Sequence, residues 1–200
     1  MLRRALPAVL VAATLLPLAA CNSESAGTQD AAGAALPTTT SAAPEASEPA
    51  GPAKSDRGNV IKQVGDEAYA TLLDTDERVF TFSVDAIRVD QPCNSGFADE
   101  PANGHFVGID VRAATTPNLP ADWFIQISAD NFQVIGPDGL TVTDVWGTAY
   151  SCLGTAGSFT TDQLGPAQQY AGTVVIDSPV TSGTLIYKVP GEPTGWEWQF

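Results

Sequence analysis

Three cysteines, one histidine and 23 carboxylates are the side chains in these 200 residues best equipped for chemistry. Cys21 follows Leu18-Ala19-Ala20 at the end of the chain's only long apolar run. A leucine three positions upstream and small residues just before a cysteine form the pattern of a bacterial lipobox, where a diacylglyceryl group is attached and the signal is cut off. Two acyl chains anchor stably where a single one binds only marginally, so Cys21 is expected to fix the mature chain to a membrane. Cys93 and Cys152 then remain as an even pair in an oxidising compartment and are expected to be bridged. Closing a loop of about 60 residues contributes roughly 4 kcal/mol in the chain-entropy treatment.

The other reactive groups do not assemble into a motif. A serine or cysteine nucleophile needs a base beside it, and the single histidine, His105, stands next to Gly104 at the start of a predicted strand. No Gly-x-Ser-x-Gly, Walker-type or Gly-x-Gly-x-x-Gly sequence occurs, and zinc would need ligands the chain lacks. Asp99 with Glu100 is a candidate carboxylate pair for glycoside hydrolysis. Asp74-Thr75-Asp76-Glu77 is carboxylate-dense but lacks the glycine and the terminal glutamate of an EF-hand loop. Trp123, Trp146, Tyr150, Trp196 and Trp198 are candidates for an aromatic ligand platform, with packing in a core as the competing use. No catalytic residue, cofactor or metal ligand is assigned.

The segments that must position these groups differ sharply in composition. Met1 to Arg4 is short and basic, and Ala5 to Pro17 is apolar. That run has the length of an export signal's hydrophobic core and falls short of the roughly 20 residues that span a bilayer. Arg3-Arg4 is not followed by a twin-arginine motif, so general secretion is the expected route. Residues 1–20 are therefore read as a lipoprotein signal peptide. Residues 21–58 are read as the lipidated cysteine and a disordered linker, since this stretch is rich in Ala, Pro, Ser and Thr with Leu36 its only large apolar side chain. Such a coil has a typical end-to-end distance of about 35 Å. Thr38-Thr39-Thr40-Ser41 beside prolines is a candidate for O-linked sugars. A product beginning at Cys21 carries seven basic residues against 23 acidic ones, a formal charge of −16. That balance argues against nucleic acid as a partner and against adsorption to anionic lipid.

Residues 59–200 read as short strands and turns. Phe80, Phe82 and Val84 alternate with polar residues, and the apolar phase then moves by one to Ile87 and Val89, which requires a bulge or bend. Val107, Ile109 and Val111 mark the clearest strand. Further strands are expected at Glu67–Leu73, Trp123–Ile127, Phe132–Val134, Leu140–Val142, Tyr170–Asp177, Thr184–Val189 and Trp196–Phe200. Gly136-Pro137-Asp138-Gly139 is expected as a tight turn. In the last strand Trp196, Trp198 and Phe200 share one face, so the chain should end inside a sheet. Many short strands without an amphipathic helix predict an all-β, antiparallel sandwich, with a small closed barrel as the alternative.

Three stretches also resemble successive motifs of a known family. They are Pro101-Ala102-Asn103-Gly104-His105-Phe106-Val107-Gly108-Ile109-Asp110-Val111, then Asp130-Asn131-Phe132-Gln133-Val134 with Asp138-Gly139, then Leu164-Gly165-Pro166 followed by Gly172-Thr173-Val174-Val175-Ile176-Asp177. Together they resemble the telokin-like, immunoglobulin-type domain of unknown function found in lipoproteins of actinobacteria and other Gram-positive bacteria, an architecture similar to that of a secreted mycobacterial immunoprotective antigen. The likeness spans about Val60 to Phe200 and departs from the usual pattern at Thr115-Thr116 and Ser178-Pro179-Val180. It implies an immunoglobulin-like β-sandwich and supplies no catalytic residues.

The expected function is a membrane-anchored extracytoplasmic lipoprotein that presents a noncatalytic interaction or binding domain to an envelope or extracellular protein or ligand. The alternatives are a carboxylate-dependent cell-envelope hydrolase and a small solute-binding lipoprotein. The last is opposed by size, because about 140 folded residues make one lobe rather than two.

Overall fold

The computed structural model describes residues 51–200. Cys21, the signal peptide and the glycosylation candidates at Thr38–Ser41 lie outside the described residues. Among the described residues, eight strands form two four-stranded sheets. They are β1 (Val60–Ile61), β2 (Glu67–Thr71), β3 (Arg78–Val89), β4 (His105–Thr115), β5 (Phe132–Ile135), β6 (Gln169–Ser178), β7 (Thr184–Tyr187) and β8 (Trp196–Gln199). The first sheet has the order β1-β8-β7-β5 and the second β2-β3-β4-β6. All neighbours are antiparallel except β1 with β8. The molecule is an all-β sandwich of two largely antiparallel sheets. Among the described residues, no helix is long and apolar enough to cross a membrane.

The alternation read from β3 and β4 is what closes the sandwich. Val84 pairs with Val111 and Ile87 with Ile109, and the register shifts between Val84 and Ala86. This is the bulge that the phase change demanded, and it keeps both halves of β3 turned to one core. Opposite lie Val134, Leu185, Tyr187 and Trp198, all buried. Phe82 is the aromatic hub: its ring centroid is 4.9 Å from Tyr187, 5.0 Å from Trp196 and 6.1 Å from Trp198, each edge-on. Such pairs contribute about 0.5–1.5 kcal/mol each beyond area burial. Burial pushes the Tyr187 phenol pKa up, and its hydroxyl donates to the Gln126 carbonyl at 2.9 Å.

Two expected strands are absent. Ile125 and Ile127 are buried as their alternation implies, but the backbone around them is not laddered. Leu164 N–H donates to the Ile125 carbonyl, and the Gln126 and Gln163 side chains bond the carbonyls of Thr161 and Trp123. The segment packs against a loop, which offers too few successive backbone partners for a strand. Leu140–Val142 fails for a related reason. The turn before it forms, with Gly139 at φ +82°, but the return arm makes only the bridge of Thr141 to Ile135. The Asp144 carboxylate then accepts the N–H groups of Trp146 and Gly147 and turns the chain away.

The fold also begins earlier than composition suggests. Lys54 bridges to Val60, and the Ala53 carbonyl accepts the Ile61 N–H, so residues assigned to the linker are part of the folded unit. The cause is Glu197. It lies on the face of β8 opposite Trp196 and Trp198, and is nevertheless only 3% exposed. Arg57 binds both its oxygens, at 2.8 and 3.1 Å, and Asn59 and Ser55 donate to Oε2 at 3.1 and 2.9 Å. Burial by itself raises the Glu197 pKa, but the Arg57, Asn59 and Ser55 donors outweigh it and hold the carboxyl below the ordinary glutamate range. A depressed folded-state pKa contributes stability that is present above the unfolded value and lost as pH falls through the folded one. The urea midpoint should therefore drop on acidification below about pH 4.5. Glu197→Gln should be less stable at neutral pH and show a shallower acid limb, and parallel acid limbs in the two proteins would disprove the assignment.

Candidate functional site

One half of the outer face of the second sheet carries a further layer. Phe106 on β4 and Val175 on β6 point away from the main core and form a second small cluster with Ala149, Cys152 and Leu153. The covering chain comes from two loops, β3–β4 (residues 90–104) and β5–β6 (residues 136–168). Gly108 lets this cap sit down, since a Cβ there would lie 2.2 Å from the Gln91 side-chain oxygen.

Three devices hold the loops together. The expected bridge is present: Cys93 and Cys152 are joined, with an Sγ–Sγ distance of 2.06 Å. Around it the N–H groups of Asn94 and Ser95 donate to the Cys152 carbonyl at 3.0 and 3.1 Å. The Asn94 side chain accepts from Gly154 N–H at 2.9 Å, and Asp99 N–H donates to the Ser151 hydroxyl at 3.0 Å. The third device is Asp177, which is fully buried and has no cationic partner among the described residues. Oδ2 accepts Ala102 N–H at 2.7 Å and Thr148 N–H at 3.0 Å, and Oδ1 accepts Asn103 N–H at 3.0 Å. Backbone donors from both loops thus converge on one side chain of β6. A buried carboxyl group is tolerated only when its oxygens are hydrogen-bonded.

Large aromatic side chains nevertheless stand exposed on these braced loops. Phe97 is 91% exposed, Tyr150 69% and Trp146 44%. The Trp146 indole N–H donates to Asp130 Oδ1 at 2.5 Å, which fixes the ring. A cavity of about 190 Å³ opens between this tryptophan and the edge of the second sheet, lined by Ile127, Tyr150, Leu153, Phe159 and Val175. The Asp144 carboxyl, outside it, is held below the ordinary aspartate range by the backbone N–H groups of Trp146 and Gly147.

The proposed aromatic platform is therefore divided. Trp196 and Trp198 belong to the core and Trp123 packs at its margin, whereas Trp146 and Tyr150 flank the cavity. Asp99 and Glu100 lie exposed on the β3–β4 loop, engaged through their backbone. Asp74 to Glu77 form the β2–β3 turn, with Asp76 at φ +54°, and the Glu77 carboxylate accepts from the Asn118 amide at 2.8 Å. His105 Nδ1 lies 2.7 Å from Asp90 Oδ1. Its strand partner Ser178 is buried, and that hydroxyl donates to the Val180 carbonyl, so it is not offered to a substrate. Among the described residues no group of three or more His, Cys, Asp or Glu side chains converges for a metal. Phe97, Leu153, Asp130 and Asp177 were missed from sequence. Phe97 carried one usable signal, an isolated aromatic in a polar loop just after a cysteine.

No family model matches the chain, and no curated protein sequence matches it. Among solved structures, it is similar to a secreted protein from Mycobacterium tuberculosis, MPT63, known from a crystal structure at 1.5 Å resolution. The two are 12% identical, with 71% of this chain and 98% of that chain covered and a TM-score of 0.46. At that level the likeness carries no argument about function.

Proposed function

We propose that this chain is an extracytoplasmic lipoprotein, held to the membrane by a diacylglyceryl group on Cys21, that binds a partner through the capped end of a noncatalytic immunoglobulin-like domain. The observation that carries this reading is the exposure of Phe97, Tyr150 and Trp146 on loops that a disulfide and a buried carboxylate hold in place. Exposed aromatic area contributes nothing to folding, while ordering its loops costs entropy. Prepaid order at an exposed apolar patch is what recognition requires. Hydrolysis by carboxylates calls for one acid with a raised pKa. The candidate pair, Asp99 and Glu100, instead lies exposed on the β3–β4 loop and is tied down through its backbone, the Asp99 N–H donating to Ser151 and the Glu100 carbonyl accepting from Thr148.

Cys21→Ser should shift the protein from the membrane fraction to the medium. A photo-crosslinking residue in place of Tyr150, on intact cells, should give discrete adducts, while the same group in place of Leu73, 94% exposed in the β2–β3 turn, should not. Equal labelling from both positions, or no change in fractionation, would refute the proposal.

A further inference from the structure

The charge around the cap is one-sided. No lysine or arginine occurs in the β3–β4 loop, and none occurs from Ala113 through Tyr187. The two cap loops carry Asp99, Glu100 and Asp144, and Asp130, in the β4–β5 connection, lies against the Trp146 indole. On the uncapped half of the same sheet face the arrangement is the opposite. There Asp85 is paired with Arg112 and Asp110 with Arg88, so the carboxylates are compensated within the strands. On this sheet face the carboxylates beside the exposed rings have no lysine or arginine partner among the described residues.

Resting on the reading of the cap as the binding end, we propose that it takes a basic polypeptide segment, a run of chain carrying arginine or lysine side chains. Those side chains are drawn both by carboxylates and by aromatic faces, and they lay an aliphatic stem along apolar surface. The cavity of about 190 Å³ beside Tyr150 suits one such stem, whereas pockets for drug-sized molecules run to about 300–1,000 Å³. A neutral glycan would use the rings and gain nothing from the charge. An anionic ligand is repelled.

The test uses the chain from residue 21 onward, with a short labelled peptide of alternating arginine and glycine. The same peptide with citrulline for arginine, and a neutral chitin oligosaccharide, serve as competitors. Arginine-peptide binding should weaken as salt rises, and neither competitor should displace it. Tyr150→Ala combined with Trp146→Ala changes no charge and should weaken binding about tenfold. Tyr150→Ala alone, at a site 69% exposed, guards against a folding artefact. Asp99→Asn with Glu100→Gln should weaken binding several-fold. Asp74→Asn with Asp76→Asn, an equal charge change in the distant turn, should leave it unaltered. Wild-type affinity in the aromatic variants, equal loss from the two neutralised pairs, or displacement by citrulline peptide or glycan would overturn the proposal. If the peptide fails while position 150 still crosslinks on cells, the partner chemistry is wrong and the binding end stands. If both fail, the binding end is wrong as well.

Discussion

A chain shortened to end at Gly195 should fail to fold. β8 lies between β1 and β7 and is hydrogen-bonded to both, so its loss strips the backbone of two neighbours and opens the first sheet. It also removes Trp198, 1% exposed, and Trp196, stacked 6.0 Å from Tyr187. Without Glu197 the clasp of Ser55, Arg57 and Asn59 has no acceptor. Losses of this kind exceed the roughly 5–15 kcal/mol by which a domain is stable. Expression should give aggregated or degraded chain without a cooperative thermal transition. A well-folded product would show that β8 is dispensable. Trp198→Ala is the graded version and should cost about 3–5 kcal/mol. Trp198→Phe should cost much less, because Trp198 Nε1 is the one buried side-chain nitrogen or oxygen without a hydrogen-bond partner among the described residues. Phenylalanine removes that donor while keeping a ring against Phe82.

Asp177→Ala should loosen the cap while leaving the two sheets paired. Three backbone N–H groups from Ala102, Asn103 and Thr148 lose their acceptor at once. A buried donor left unmet costs about 1–3 kcal/mol, and these three are only part-buried, so each falls toward the low end and the expected loss is roughly 3–5 kcal/mol. In a domain of this size that lowers Tm by about 10–15 °C. The specific readout is the disulfide: Cys93–Cys152 should be reduced faster by external thiol in the variant, since the loops that cover it are no longer pinned. Asp177→Asn keeps one acceptor and should fall between. Gly147→Ala should act through the same contact, because Gly147 has φ +42° and a Cβ there would lie 2.0 Å from Asp177 Oδ2. If Asp177→Ala destabilised the chain without changing the reduction rate, the carboxylate would belong to the core rather than the cap.

The same residues show how far patterns in the chain reach. Alternation in β3 and β4 was legible, down to the bulge after Val84, because burial of one sheet face imposes a period of two on the residues that face it. The pairing of Cys93 with Cys152 followed from parity and compartment. Trp123–Ile127 and Leu140–Val142 carry the same alternation without a ladder. Periodicity records which side chains are buried, whereas a strand also needs a neighbouring backbone.

Glu197 and Asp177 were illegible for a different reason. Each is an acid at an outward-facing strand position, which in a half-exposed sheet means solvent. Their burial depends on segments remote in sequence, residues 55–59 for Glu197 and the two cap loops for Asp177. The candidate site has the same origin. Its aromatics come from separate loops and carry no common spacing, so no local pattern announced them. By itself the sequence determined the sandwich, the cysteine pairing and the acidity, because each follows from composition or from a period that one buried face enforces. Only the tertiary structure decided which acids are buried and which aromatics remain exposed, because both depend on what the second layer of loops covers.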